Sequence, residues 1–356
     1  MKRILLIGSA FIGVIVGAGF ASGQEVLQYF TSFGLLGTIG AVIATALFAY
    51  IGFALVWLGS VMKTNSHKDV IYRISGKWIG RAIDYILIFT LFGVGVVMLA
   101  GAGSNLNQQF GIPAVVGTIL MTALIIICGM VKVDRVVSII GGITPFLILF
   151  VILISIYSFF TFDGSISALN NVAQQHTSSL PNWFIAGINY ASFNTAVGAS
   201  MAIVMGGAEK DSRTAALGGL VGGLGLGFLI VFSHLAIFSK IEDVGNMDMP
   251  MLGIVNDISP VLGVIMAIVI FAMIFNTGLS MFYSFGARFA EVGTKKFKNF
   301  YTIVLLVGFA CSFVGFTELV AFFYPLIGYL GLVLIGVLLY APFKVKKMKE
   351  LQQRSS

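Results

Sequence analysis

Long apolar stretches separated by short polar segments run along almost the whole chain. Ten of them approach or exceed the ~20 residues that a helix needs to cross a lipid bilayer. They cover residues 4–31, 34–62, 81–103, 112–130, 136–160, 183–206, 214–238, 259–287, 299–317 and 318–342. The pattern predicts an all-α polytopic membrane protein with ten transmembrane helices, named spans 1 to 10 in chain order.

The composition supports a membrane location and excludes several other classes. Of 356 residues, 58% are hydrophobic and 10% are charged, with a mean hydropathy of +1.02. A soluble domain of this size would have too little polar surface. The two cysteines lie in apolar stretches, and no CxxC or HExxH motif occurs, so neither a disulfide framework nor a zinc site is expected.

Positive charge indicates an orientation. With the N-terminus inside, the inner segments are 1–3, 63–81, 131–135, 207–213, 288–298 and 343–356, and they hold all Lys and Arg residues except Lys240. Cytoplasmic segments carry this excess. We therefore predict a multi-pass protein of the cell membrane with both termini cytoplasmic. The net charge of +7 then belongs to the inner face, and no nucleic-acid partner is expected.

One outer segment, DMPMLGIVNDI at 248–258, is too short and too mixed to span a membrane. It could form a helical plug over an outer vestibule. A surface helix at the membrane interface fits the same residues. The sequence leaves these two readings open.

Three landmarks recur at similar offsets and suggest two inverted halves of five helices. Pro145 in span 5 is followed by Pro325 in span 10, and Cys128 in span 4 by Cys311 in span 9. Polar interruptions recur in spans 1 and 6. Such repeats are typical of transporters. We predict a first repeat at 1–160, an outer connecting loop at 161–182, a second repeat at 183–342 and a basic tail at 343–356.

Span 1 contains an interruption at VGAGFASGQE, residues 16–25. Glycine destabilises a helix interior, and Ser22 with Glu25 has the spacing of a capping box. One helix is therefore expected to end near Gly17 and another to begin near Ser22. The free amides of the second suit a carboxylate and the free carbonyls of the first suit a cation. A GxxxG packing face is the alternative, and Glu25 could instead carry protons.

Spans 6 and 8 contain further polar residues at mid-membrane depth. In span 6, Asn194 and Thr195 lie near Tyr190 and Phe193, and we expect a second helix break there unless these groups serve interhelical hydrogen bonds. In span 8, Asn276 and Thr277 lie one turn before Ser280. Their side-chain oxygens could complete a sodium site.

The string Gly13-x-x-Val16-Gly17-x-Gly19 resembles span 1 of the amino acid–polyamine–organocation superfamily, which includes sodium-coupled neurotransmitter-type transporters. The stretch GAGFASGQE is similar to the YkvI-type family of uncharacterised bacterial membrane proteins, grouped as amino-acid permeases. The resemblance covers the whole chain and implies a LeuT-like fold with broken helices 1 and 6. Phe20 stands where the neurotransmitter-type family has an asparagine, which argues against a second sodium site.

The resemblance also implies roles for particular residues. The amides of Ala18 and Gly19 would meet a substrate carboxylate, and the carbonyls of Gly13 and Val16 would join Thr277 and Ser280 around sodium. The full set of candidate substrate-binding residues is Ala18, Gly19, Phe20, Ala21, Ser22, Gly23, Glu25, Tyr190, Phe193, Asn194 and Thr195. The candidate sodium ligands are Gly13, Val16, Asn276, Thr277 and Ser280.

These features predict a secondary active transporter rather than an enzyme. It would carry a small molecule, an amino acid or related carboxylate, by alternating access with sodium symport and without a cofactor. Proton coupling through Glu25 is one alternative, and a membrane receptor or channel is another. Substrate identity, direction of transport and oligomeric state stay open.

Overall fold

A computed structural model describes residues 1–64, 66–130, 144–162 and 164–355. In this part of the chain, five helices are long and apolar enough to cross a membrane by length and composition. They are Leu35–Met62, His67–Phe110, Ser212–Ser239, Pro260–Ala287 and, within the helix Phe316–Ser355, Phe316–Lys347. They coincide with spans 2, 3, 7, 8 and 10, so the predicted polytopic helical protein is confirmed.

The other spans are helical as well. Span 1 consists of Lys2–Ile15, Ala18–Ser22 and Gln24–Tyr29, followed by a short 3-10 turn at Thr31–Phe33. Spans 4, 5, 6 and 9 contain the helices Ala114–Gly129, Thr144–Phe160, Trp183–Gly207 and Lys295–Ser312. The predicted start of span 5, residues 136–143, lies outside the described residues.

Spans 1, 2, 6 and 7 pack into one group through glycines. A side chain at Gly52 of span 2 would collide with the backbone carbonyl of Gly219 in span 7. Gly59 of span 2 similarly abuts Ile203 of span 6, and Gly8 of span 1 abuts Gly222 of span 7. Helices in a membrane associate through such close backbone contact because lipid provides no hydrophobic drive. The glycine-rich stretch of span 7 therefore holds this group together.

Spans 3, 4, 8 and 9 form a second group. Gly103 of span 3 lies against the start of span 4, and Gly278 of span 8 against Ile125 of span 4. The Tyr301 hydroxyl of span 9 donates a hydrogen bond of 2.9 Å to the Ile125 carbonyl. Span 10 packs on both groups, since it contacts spans 6 and 3.

The helices of the predicted outer side cover the centre of the molecule. The segment 161–182 contains a short helix, Ile166–Ala173, where only a loop was predicted. The helix Pro250–Ile258 has a buried apolar face, and its Met251 is fully buried. A side chain at Gly23 of span 1 would lie 2.6 Å from the Met251 Cγ atom. This burial excludes an exposed surface helix, and we call the helix Pro250–Ile258, packed against span 1, the plug.

On the predicted inner side, the loop expected at 63–81 is largely helical. The helix of span 3 already begins at His67 and bends at Gly76, whose φ is 78°. Asp84 of this helix forms ion pairs with Lys68 and with Arg288, at 3.7 and 3.8 Å. The segment after span 10 continues its helix to Ser355.

Candidate functional site

The break in span 1 is present near Gly17, as predicted. The first helix ends at Ile15, Val16 and Gly17 have extended backbones, and the next helix begins at Ala18. This start is earlier than the one predicted near Ser22. The first amides of the second helix have no acceptor within it, and the whole turn Ala18–Ser22 is buried inside the protein.

The predicted capping box between Ser22 and Glu25 is wrong. Gly23 adopts φ 84° and itself caps the helix Gln24–Tyr29, which places Glu25 one position too early for the box. The Ser22 hydroxyl instead donates to the Gly19 carbonyl at 2.7 Å and accepts from the Gln24 amide at 3.1 Å. Glycine makes the left-handed conformation accessible, so the chain can change direction there.

Because the Glu25 carboxyl does not cap a helix, it is free to interact with other groups at the break in span 1. A Cβ atom added at Gly19 would lie 3.4 Å from the Glu25 Cδ and 2.9 Å from the Tyr324 hydroxyl oxygen. The side chains of Tyr29, Tyr190 and Tyr324 lie close enough to the Glu25 carboxyl to interact with it electrostatically. Within the described chain, no Lys or Arg forms an ion pair with Glu25.

The predicted break in span 6 is absent, because its helix is continuous from Trp183 to Gly207. Its polar side chains find hydrogen-bond acceptors while the backbone stays helical. Asn194 and Thr195 donate to carbonyls one turn back on their own helix, at 3.0 and 2.6 Å. Ser192 donates to the Gly328 carbonyl of span 10 at 2.6 Å. Interhelical and local hydrogen bonds therefore explain this polar cluster.

The aromatic residues of span 6 do reach the break. Phe193 stacks on Tyr324 with ring centroids 4.2 Å apart, and Tyr324 is the residue that faces Gly19. Tyr190 packs edge-on against Tyr29 at 5.0 Å. The structure thus brings Tyr190 and Phe193 to the break, whereas Asn194 and Thr195 bond to their own helix.

Of the predicted sodium ligands on span 8, Thr277 lies beside this break. A Cβ atom at Gly17 would be 3.9 Å from the Thr277 hydroxyl oxygen, so span 8 approaches span 1 at the gap. The Asn276 side-chain oxygen is buried and has no hydrogen-bond partner among the described residues. Gly13 lies in the last turn of the first helix, whose carbonyls lack intrahelical partners. Val16 is buried and Ser280 is half-buried.

A polar cavity of about 310 Å³ lies next to the last helix of span 1, and we name it the outer vestibule because it is on the predicted outer side. Its lining residues come from span 1, from the segment before span 6, from the segment between spans 7 and 8, and from the start of span 10. They are Gln24, Leu27, Gln28, Ser32, His176, Thr177, Gly245, Asn246, Met247, Asp248, Thr317 and Glu318. In the described part of the chain, no cluster of three or more His, Cys, Asp or Glu residues could hold a metal ion.

Sequence reasoning missed three residues of this region. Tyr29 follows Glu25 by four residues and therefore shares its helix face, a signal that was present in the sequence. Tyr324 is adjacent to Pro325, yet nothing in the sequence places it against Gly19. Gln24 was passed over although it lies between Gly23 and Glu25.

Comparison with known proteins finds two similar proteins of one bacterium. No protein-family model matches the sequence. The chain is 26% identical over 329 residues to the uncharacterized membrane protein YkvI of Bacillus subtilis (strain 168), covering 92% of this chain and 93% of that protein. It is also 26% identical over 349 residues to the uncharacterized protein YyaD of the same organism, covering 97% and 98%.

Solved structures identify the fold. MhsT in complex with L-phenylalanine superposes with a TM-score of 0.62 at 18% identity, over 94% of this chain and 88% of that one. A mutant of the Eremococcus coleocola manganese transporter gives 0.54 at 12% identity, over 96% and 77%. The chain has the LeuT fold. At these identities the likeness shows the fold, and the second neighbour is itself a manganese transporter.

Proposed function

We propose that the chain is a secondary active transporter that moves a small solute, an amino acid or related carboxylate, by alternating access with sodium. The observation that carries the proposal is the buried break in span 1 with Thr277 of span 8 beside it. Irregular backbone is tolerated at membrane depth only where protein or a cavity surrounds it. In transporters, such breaks hold substrate and coupling ions.

The substrate would lie at Gly19. The amides that begin the helix Ala18–Ser22 are directed toward the gap, where an anionic group is favoured by their unpaired hydrogens. Phe193 and Tyr324 stack across this point and form its aromatic wall. In the present conformation Phe20, Tyr190 and Phe193 are all buried, so this state is closed around the break.

Sodium would lie between spans 1 and 8. Hard cations take oxygen ligands, and spans 1 and 8 offer oxygens of this kind. The Asn276 side-chain oxygen is buried and has no hydrogen-bond partner among the described residues, which is costly unless a cation or another donor completes it. Thr277 provides a hydroxyl beside Gly17, and the last turn of the first helix provides carbonyls.

Proton coupling through Glu25 is the second candidate, because this buried carboxyl lies beside Gly19 and pairs with no Lys or Arg of the described residues. Intramembrane acids of this kind mark proton or cation paths in transporters. The tyrosine hydroxyls around Glu25 could donate hydrogen bonds to its charged form and accept from its protonated form. One carboxyl could thus hold or release a proton as the solute moves.

The deciding experiment begins with the thermal stability of the purified full-length protein, screened against amino acids and carboxylates in sodium chloride and in choline chloride. A ligand at 100 times its dissociation constant stabilises the binding state by ~2.7 kcal/mol. The stabilising solute is then used for uptake into proteoliposomes under sodium or pH gradients. Sodium-driven uptake would support the main proposal, and uptake driven by pH alone would support Glu25 coupling. A stabilising solute that neither gradient accumulates would overturn transport.

A further inference from the structure

A groove of about 760 Å³ lies between spans 5 and 7 and shares no lining residue with the outer vestibule. It follows span 5 from Val151 to Phe160 and span 7 from Phe228 to Ser239, up to the predicted outer ends of both spans. At the usual rise of a helix these stretches are roughly 14 and 16 Å long, about half of a ~30 Å hydrocarbon core. This span 5–7 groove therefore has the depth of one lipid leaflet, the outer one.

The span 5–7 groove is apolar and opens sideways toward the bilayer. Among the described residues that line it are six phenylalanines and no glycine. Phe159 and Phe160 of span 5 and Phe228 of span 7 are exposed, so no other helix of the described chain covers them. Membrane helices pack on each other through small residues, as span 7 does on spans 1 and 2. Large side chains around an open groove suit a flexible acyl chain better than a further helix.

One polar atom in this groove lacks a partner. Ser158 lines the groove, is 2% exposed, and its hydroxyl has no hydrogen-bond partner among the described residues. The other two serines of the lining are satisfied, since Ser155 donates to the Val151 carbonyl at 2.7 Å and Ser239 to the Ala236 carbonyl at 2.8 Å. A buried hydroxyl without a partner is costly. The ester carbonyl of a lipid would accept its hydrogen bond.

A cation lies at the outer end of the groove. Lys240 directly follows Ser239 and is the only Lys or Arg of the predicted outer segments. Its ammonium donates to the Thr161 carbonyl at 3.1 Å and lies 5.9 Å from the centroid of the Tyr157 ring. Lys240 forms no ion pair with any described residue. Because an ammonium has three donors, two are left for a phosphate group.

The surroundings of Lys240 are acidic on balance. The connection between spans 7 and 8 contains Glu242, Asp243, Asp248 and Asp257 beside this one lysine. Asp257 lies close enough to Asp243 and Lys240 to interact electrostatically with both. A headgroup with a net negative charge would be repelled here. A zwitterionic headgroup can direct its phosphate to the lysine and its amine toward the carboxylates.

We propose that the span 5–7 groove binds a zwitterionic phospholipid of the outer leaflet, with an acyl chain between the two spans, an ester carbonyl at Ser158 and the phosphate at Lys240. Ser158 precedes Thr161, the partner of Lys240, by three residues, or roughly 4–5 Å along the helix. The glycerol of one phospholipid can bridge that separation. The site is distinct from the break in span 1, and it does not require that the chain transports a solute.

The first test measures lipid binding to the full-length protein in detergent after its native lipid has been removed. Phosphatidylethanolamine and phosphatidylglycerol with identical acyl chains are titrated, and the first bound lipid is followed by native mass spectrometry. We expect phosphatidylethanolamine to bind about fivefold more tightly, because its headgroup carries no net charge. Equal affinity, or tighter binding of phosphatidylglycerol, would overturn the proposal.

Two small substitutions test the polar contacts. Lys240→Gln removes the charge but keeps a donor for the Thr161 carbonyl, and it should weaken binding of phosphatidylethanolamine by about tenfold. Ser158→Ala should weaken it by about threefold. Lys295→Gln, exposed on the predicted inner side, is the control for charge. Unchanged affinity in both groove variants would contradict the assigned contacts.

The same variants separate binding from folding. In the absence of lipid, Ser158→Ala should be at least as stable as the unchanged protein, because it removes an unpaired hydroxyl. Its gain in thermal stability on adding phosphatidylethanolamine should nevertheless be smaller. A lower stability without lipid, together with an unchanged gain, would show that Ser158 serves the fold alone.

The acyl chain can be located in a bilayer by fluorescence. With Trp57, Trp78 and Trp183 replaced by phenylalanine, Leu235→Trp places a reporter in the groove and Ile265→Trp places one at similar depth on span 8. Both positions are exposed. In phosphatidylcholine vesicles with a small fraction of brominated-chain phosphatidylethanolamine, we expect stronger quenching at position 235. Equal quenching at the two positions would show only bulk lipid at the groove and overturn the site.

A second copy of the chain is the competing occupant. Ser155→Phe would fill the groove from span 5, and Ser9→Phe, exposed on span 1 outside the groove, is the matched control. We expect Ser155→Phe alone to remove the preferential quenching and the tight phosphatidylethanolamine site without a change in molecular mass in detergent. Loss of a dimer with lipid binding intact would assign the groove to another copy and refute the proposal.

Discussion

At the residue scale, the centre of the molecule is a small set of polar atoms enclosed by aromatic rings. Glu25 lies among the hydroxyl groups of Tyr29, Tyr190 and Tyr324, and it approaches Gly19 where the helix is interrupted. Glycine is required at position 19 by space, since a side chain there would meet Tyr324 first. The absence of a side chain therefore lets Tyr324 of span 10 approach the backbone of span 1 closely.

Gly19→Leu should abolish binding of the stabilising solute. The new side chain would begin 2.9 Å from the Tyr324 hydroxyl oxygen and fill the gap. We expect the affinity to fall more than about 100-fold, or ~2.7 kcal/mol, in equilibrium binding with labelled solute. Gly336→Leu in span 10 is the control, because a Cβ there meets nothing within 4 Å. Normal binding by Gly19→Leu would move the site elsewhere.

Thr277→Val should weaken sodium dependence while preserving the size of the side chain. The change removes the hydroxyl oxygen that lies beside Gly17. The sodium concentration for half-maximal stabilisation should rise at least about tenfold, or ~1.4 kcal/mol. Thr302→Val is the control, since the hydroxyl of the half-buried Thr302 donates to the Lys298 carbonyl of its own helix. An unchanged sodium dependence would remove Thr277 from the ion site.

At the element scale, spans 1 and 6 differ although both carry polar residues at similar depth. Span 1 breaks because Val16 and Gly17 leave helical geometry and Gly23 turns into the left-handed region. Span 6 stays whole because its side chains bond to their own helix and to span 10, as Ser192 does to Gly328. Polar composition alone does not break a helix when the side chains find acceptors nearby.

Gly23→Ala tests the second interruption and the plug above it. An alanine at position 23 would adopt an unfavourable positive φ, which costs about 1–2 kcal/mol, and its Cβ would collide with Met251. Gly111→Ala is the matched control, because Gly111 has φ 67° and open space around it. We expect Gly23→Ala to lower stability by ~1–3 kcal/mol more than the control in thermal unfolding. Equal losses of stability in the two variants would show that Met251 and its helix move aside at no cost.

At the scale of the whole molecule, two helix groups meet at the break. Spans 1, 2, 6 and 7 are joined through glycines, and spans 3, 4, 8 and 9 form the other group. Thr277 of one group lies at the gap in span 1 of the other. Relative movement of the groups would therefore change the contacts of any ion or solute held there, as alternating access requires.

Orientation in the membrane is a prediction at this same scale. A single cysteine at Gln174 should react with a membrane-impermeant maleimide in intact cells, whereas one at Lys295 should react only after permeabilisation. Both positions are exposed, so access to the reagent decides the result. The physical reason is the concentration of Lys and Arg in the alternate segments that include 288–298. The reverse pattern would place both termini outside.

Some features of this protein follow from sequence alone. Hydrophobic length determines which segments can cross a bilayer, because an unpaired backbone in lipid is too costly for any other structure. The sequence also predicts the break near Gly17, since the glycines there weaken the helix locally. The resemblance in span 1 pointed to the LeuT fold before any contact was known.

Other features were decided only by the tertiary structure. The capping-box prediction was wrong because Gly23, one residue after Ser22, is the residue that caps the next helix. Met251 packs against this turn. Span 6 stayed continuous because carbonyl acceptors on span 10, such as that of Gly328, lie within reach. Tyr324 faces Gly19 from about 300 residues away. Such pairings depend on which helices become neighbours, and local propensity carries no information about that choice.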